Sequence, residues 1–71
     1  MEIKYTSHVL DKCSERKIEK VWIEETIKKP DRVKNEGYKW YAVKKLNGKT
    51  LKVVYIKQNY IKIITVFWVE Q

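Results

Sequence analysis

Cysteine occurs once in this chain, at Cys13, so no intrachain disulfide can form and stability has to come from packing. A lone cysteine and the lack of a secretory leader set the expectation of a reducing, cytoplasmic setting. Histidine is equally scarce, His8 being the only one. One His and one Cys are too few for the usual zinc ligand sets, so neither a metal nor a cofactor is expected. Nothing in the sequence nominates a nucleophile and an orienting acid for His8, which argues against a Ser-His-Asp arrangement. There is no glycine-rich phosphate loop and no G-x-S-x-G elbow. Two Gly and one Pro argue against a disordered or linker-like chain. The longest apolar run, Ile63 to Val69, is interrupted by Thr65 and falls well short of the roughly 20 residues of a membrane span.

What the chain does have is positive charge and a core's worth of apolar residues. Sixteen Lys and Arg stand against nine Asp and Glu, a net charge of +7, and 44% of the 71 residues are hydrophobic. A basic balance favours polyanions such as RNA, although a Lys-rich solvated surface produces the same count. The length predicts one domain spanning residues 1–71.

Residues 2–5 alternate polar and apolar and read as a short strand. Thr6 and Ser7 are good helix N-caps, after which Val9, Leu10 and Cys13 share a helical face. A second pattern opens at Ile18 with Trp22, Ile23, Thr26 and Ile27 as its inner stripe, and Pro30 stops it. Residues 7–29 therefore predict two short helices or one bent helix. Asp31 to Tyr38 reads as a polar connection with room for a short strand at 32–34. Lys39–Leu46 and Lys49–Lys57 flank Asn47–Gly48, a strong type I′ hairpin signal, because both central residues of that turn need positive φ. Gln58–Asn59 predicts a second two-residue turn into Tyr60–Val69. The expected fold is α+β: a short N-terminal strand, the helices, then a three-stranded antiparallel meander packed on them.

Two-residue turns imply a register. Around Asn47–Gly48, Val43 faces Lys52 and Tyr41 faces Val54. Around Gln58–Asn59, Lys52 faces Thr65. Lys45, Thr50, Lys52 and Thr65 then cluster beside Tyr41, with Ile61, Ile63 and Phe67 on the same face. The opposite face holds Trp40, Ala42, Leu51, Val53, Ile64, Val66 and Trp68. Both faces are apolar enough for either to be the covered one. The one left bare would suit a partner or a second copy of the chain.

Two groups of residues could carry chemistry. His8, Lys12 and Arg16 follow one another at four-residue spacing, within a helical arc of about 80°. Such a row can hold phosphates, and it is also what an ordinary solvated helix edge looks like, with Asp11 and Glu15 available as ion-pair partners. The Lys45–Lys52–Thr65 cluster with Tyr41 combines cations and an aromatic ring, a mixture suited to nucleic acid.

The segment Ser7-His8-Val9-Leu10-Asp11-Lys12-Cys13-Ser14-Glu15-Arg16-Lys17-Ile18, then Pro30-Asp31, Leu51-Lys52-Val53-Val54 and Ile63-Ile64-Thr65-Val66-Phe67-Trp68, resembles a widespread prokaryotic domain family. Its helix reads His-Ala-x-x-Arg-x-x-x-Arg-x-Ile, and it is similar to the RelE/BrnT toxins, ribonucleases of type II toxin–antitoxin pairs. Val9 replaces the Ala. Lys12 replaces an Arg and loses the bidentate fork that reads phosphate best. The resemblance implies an RNase-like fold with His8, Lys12 and Arg16 at the motif positions. Joined to the sheet cluster, it sets the expectation of a metal-independent endoribonuclease with His8 as acid or base, Arg16 and Lys52 stabilising charge, and Lys12, Tyr41, Lys45 and Thr65 holding the RNA. Its partners would be RNA and an antitoxin protein, without a membrane. The alternative expectation is a non-catalytic basic module that binds nucleic acid or a partner protein through its bare sheet face. A homodimer through that face is compatible with either.

Overall fold

A computed structural model describes residues 2–69 of the chain. Its elements run β1 (Ile3–Lys4), α1 (Ser7–Arg16), α2 (Lys20–Lys28), β2 (Arg32–Glu36), β3 (Lys39–Leu46), β4 (Lys49–Lys57) and β5 (Ile61–Val69). The class is α+β as expected, but the sheet is not a three-stranded meander. It has five strands in the order β1-β5-β4-β3-β2, with β1 parallel to β5 and every other pair antiparallel. The polar segment after Pro30 forms a full edge strand, β2, closed onto β3 by Gly37–Tyr38 with Gly37 at φ +62°. Both helices and three strands separate β1 from its parallel partner β5, a contact too distant in sequence for any turn residue to announce.

Each helix forms for local reasons. The Thr6 hydroxyl caps α1 by accepting the Val9 N–H at 3.1 Å. At its other end Lys17 takes the left-handed conformation, φ 55°. The N–H groups of Lys17 and Ile18 then turn back onto the carbonyls of Ser14 and Cys13. That is a Schellman ending, and it drives Ile18 into the core beside Cys13. Ile18 therefore lies in the connection, and α2 begins at Lys20. α2 stops before Pro30, and the Lys44 ammonium donates to the Lys29 carbonyl at 2.8 Å.

The helices cover one sheet face only. Val9, Cys13, Ile18 and Ile23 bury against Ala42, Leu51, Val53, Tyr55, Ile61, Ile63 and Val66. Thr26, also fully buried, donates its hydroxyl to the Trp22 carbonyl at 2.8 Å. Leu10, expected on the inner stripe with Val9 and Cys13, is instead exposed at 39%.

The β3–β4 register is the expected one, with Val43 opposite Lys52 and Tyr41 opposite Val54. Asn47 and Gly48 both have positive φ. The β4–β5 register differs. Lys57 pairs with Ile61, so the loop has three residues, Gln58 to Tyr60. Tyr55 pairs with Ile63 while Val54 pairs with Thr65, which leaves Ile64 as the extra residue of a β-bulge. The bulge resets the alternation along β5. Ile61 and Ile63 turn toward the helices together with Val66 and Trp68, and Thr65 and Phe67 stay on the other face.

Tyr5 connects β1 to the helical layer, its hydroxyl 3.5 Å from the Glu24 carboxylate. Burial and then the Glu24 charge push its phenol from 10.0 up to about 12. A raised phenol pKa means that the folded state holds its proton more tightly than the unfolded chain. That contribution to stability is complete below about pH 10 and is lost as pH rises toward about 12. Tyr5→Phe is therefore expected to melt with a shallower alkaline decline than the wild type over that window. Parallel pH profiles for the two proteins would remove this role for Tyr5.

Candidate nucleic-acid interface

With the helices on one side, strand alternation leaves an open face built from β2, β3, β4 and β5. On it stand Arg32, Lys34 and Glu36 from β2; Lys39, Tyr41, Val43 and Lys45 from β3; Thr50, Lys52, Val54 and Ile56 from β4; and Lys62, Thr65 and Phe67 from β5. Lys4 of β1 lies beside Lys62 at the far edge. The sole carboxylate at these strand positions, Glu36, is paired with Lys34 at 3.1 Å. The face is thus strongly basic, with aliphatic and aromatic side chains between the cations.

Lys52 is its centre. It rises from the middle strand, half-buried, opposite Val43 on one side and Phe67 on the other. Its ammonium lies 5.3 Å from the centroid of the Tyr41 ring and 5.9 Å from that of Phe67. Two ring faces thus hold one cation in place without neutralising it. Tyr41 and Phe67 sit two strands apart, roughly 10 Å at sheet spacing. Toward the β2 edge the surface dips into a groove of about 340 Å³, lined by Arg32, Lys34, Tyr41, Val43 and Lys52 among others.

The residues singled out from the sequence divide between two sides of the sheet. Lys52, Tyr41, Lys45 and Thr65 are on the open face. Lys45 is exposed and pairs with Thr50, and its backbone N–H donates to the Asp31 carboxylate at 2.8 Å. Thr65 does not face Lys52: the three-residue loop and the bulge place it opposite Val54, and Phe67 takes the position beside Lys52. His8, Lys12 and Arg16 lie on α1, which packs on the covered side of the sheet against β5. His8 is exposed in the first turn of α1. Lys12 pairs with Glu15 at 3.5 Å. The Arg16 guanidinium donates to the Val66 carbonyl at 2.6 Å, where β5 has run past its pairing with β1. The structure thus assembles Lys52 with Tyr41 but does not bring it together with His8 and Arg16, because the sheet stands between them.

Arg32 and Lys34 of β2 join the open face beside Tyr41 and Lys52, and Phe67 flanks Lys52 on the other side. The period-two spacing of Arg32, Lys34 and Glu36 is the signal that identifies the first two, once 32–36 is read as a strand. Phe67 is expected on this face from the alternation along its strand, and the loop and the bulge decide only that it, and not Thr65, stands opposite Lys52. Among the described residues no group of His, Cys, Asp and Glu is arranged to hold a metal ion, and no helix is long and apolar enough to cross a membrane. Burial pushes the Cys13 thiol above its ordinary value, against a weaker opposing pull from Lys20, which fits a packed core residue and not a nucleophile.

A family described as a domain of unknown function, DUF4258, matches residues 5–68. Comparisons with curated proteins and with solved structures give no match.

Proposed function

The chain belongs to the DUF4258 family, whose description assigns no activity, and we propose that its open sheet face is a binding platform for single-stranded RNA. The observation that carries this reading is Lys52, held at the centre of an uncovered sheet between the rings of Tyr41 and Phe67. A phosphate drawn to the ammonium leaves the two rings to stack the bases on either side. Arg32 and Lys34 extend the positive track toward the edge strand. Stacking tolerates any base and needs unpaired ones, so single strands suit this face better than duplexes.

Binding of this kind releases counterions, and its affinity falls steeply with salt. Fluorescence anisotropy with a labelled single-stranded RNA is expected to give a straight log–log plot of affinity against salt. The expected slope corresponds to about three to five phosphate contacts. A duplex of the same sequence should bind more weakly. A salt-independent affinity, or a preference for the duplex, would count against the platform.

A second reading follows from the resemblance to RelE/BrnT toxins: metal-independent cleavage, in which the ribose 2′-OH attacks the adjacent phosphorus while an acid protonates the leaving oxygen. The α1 motif supports it. The separation of His8 from Lys52 gives it less support than binding alone, because an acid or base must reach the proton it moves, directly or through one water. The same RNA run on a denaturing gel separates the two readings: intact RNA fits the platform, and His8-dependent products fit the toxin. Relief of growth arrest by an antitoxin protein would also favour the toxin.

A further inference from the structure

On the covered side of the sheet, the end of α1, the start of α2, the Asn47–Gly48 turn and the end of β5 enclose a cleft of about 360 Å³. Small-ligand sites begin at roughly 300 Å³. Two indoles, Trp22 and Trp68, and three cations, Arg16, Lys17 and Lys49, line it, and among the described residues no carboxylate does. The indoles meet edge to face, with centroids 5.9 Å apart and planes at 60°, forming a corner. The Lys49 ammonium lies 5.4 Å from the Trp68 ring centroid.

This wall is held rigidly. The Trp68 indole N–H donates to the Arg16 carbonyl at 2.8 Å, and the Arg16 guanidinium donates to the Val66 carbonyl at 2.6 Å, so α1 and β5 lock each other. Only one guanidinium N–H is spent in that bond, and an arginine has five. Lys17 and Asn47 are the two non-glycine residues with positive φ among the described ones, and both line this cleft. The left-handed conformation of Lys17 is one that glycine adopts without strain, but glycine would bring no charge.

We propose that this cleft binds a nucleotide, its base against the Trp22–Trp68 corner and its phosphate among Arg16, Lys17 and Lys49. A neutral apolar ligand would leave three cations unmatched, and a bare inorganic anion would make no use of two indoles. An aromatic group joined to an anion uses both. The ligand is either a free mononucleotide or the phosphorylated end of a strand. The site shares no residue with the open face and stands or falls independently of RNA binding there.

The test is an NMR titration of the isotope-labelled full chain with AMP, run beside adenosine, ribose 5-phosphate and a 5′-phosphorylated tetranucleotide. AMP is expected to shift the indole signals of Trp22 and Trp68 and the amides of Lys17 and Asn47, leaving the Trp40 indole and the Lys52 amide in place. Adenosine and ribose 5-phosphate should bind at least about tenfold more weakly, since each supplies half of the recognition. Lys49→Glu, at the exposed first residue of β4, should weaken AMP by about tenfold or more, whereas Lys52→Glu should not change it. A tetranucleotide at least about tenfold tighter than AMP assigns the strand end, and one equal or weaker assigns the free nucleotide. Absence of cleft shifts up to about 10 mM AMP, roughly tenfold above a dissociation constant of 1 mM, would overturn the proposal. So would equal binding of either half-ligand, or indifference to Lys49→Glu.

Discussion

Ile63→Ala should lower the stability of this domain by about 2–5 kcal/mol, and Ile64→Ala by less than half as much. Ile63 is fully buried, opposite Tyr55 and beneath the helices, whereas Ile64 is the extra residue of the bulge and only half-buried. A buried Ile loses both its transfer free energy and the packing around the space it leaves. The loss weighs heavily here. Domains are typically stable by only about 5–15 kcal/mol, and one of this size buries a smaller fraction of its surface than larger ones do. Urea denaturation of both variants is the measurement, with the shift in midpoint read at constant slope. The comparison tests the bulge directly. Without it, alternation counted back from Val66 would put Ile64 inward and Ile63 outward, and the order of the two costs would reverse.

Lys52→Glu should reduce single-stranded RNA affinity by roughly 30-fold at low salt, the effect of about 2 kcal/mol. One phosphate contact is lost and a repulsive charge takes its place at the centre of the face. Lys52→Ala should lose less and make the salt slope shallower by about one phosphate. The fold should tolerate either change, because what Lys52 contributes within the chain is its contact with Tyr41 and Phe67, and such contacts are worth about 0.5–1 kcal/mol each when exposed. Lys57→Glu is the matched control. It changes net charge equally, but Lys57 lies at the end of β4 over the Trp40 ring, at 4.5 Å, on the covered side. Its affinity should stay within about threefold of the wild type. Equal losses for Lys52→Glu and Lys57→Glu would mean that net charge alone drives binding and that the open face has no special part in it.

The two sides of this sheet carry different chemistry because the helices desolvate only one of them. On the covered side the Lys44 ammonium and one N–H of the Arg16 guanidinium donate to the backbone carbonyls of Lys29 and Val66. On the open side the Lys52 ammonium lies over two ring faces, is in no ion pair among the described residues, and keeps its charge available.

Features that depend on neighbours along the chain are legible from residue order alone. Asn47–Gly48 dictates a tight turn through its backbone preferences, and a two-residue turn leaves one register for β3 and β4. Thr6 and Pro30 bound the helical region for equally local reasons, a capping hydroxyl and a missing N–H. The basic surplus, the burial of Cys13 and the alternation of β3 and β4 needed no more than composition and period. Where distant segments meet is settled only when the chain packs. No local signal marks the parallel pairing of β1 with β5 or the extra residue at Ile64. The bulge lets Ile61, Ile63, Val66 and Trp68 all reach the helices, a gain that exists only once the helices are docked. Docking also chose which apolar face would be covered. It thereby placed His8, Lys12 and Arg16 on one side of the sheet and Lys52, Tyr41 and Phe67 on the other, a division that residue spacing within a single element cannot express.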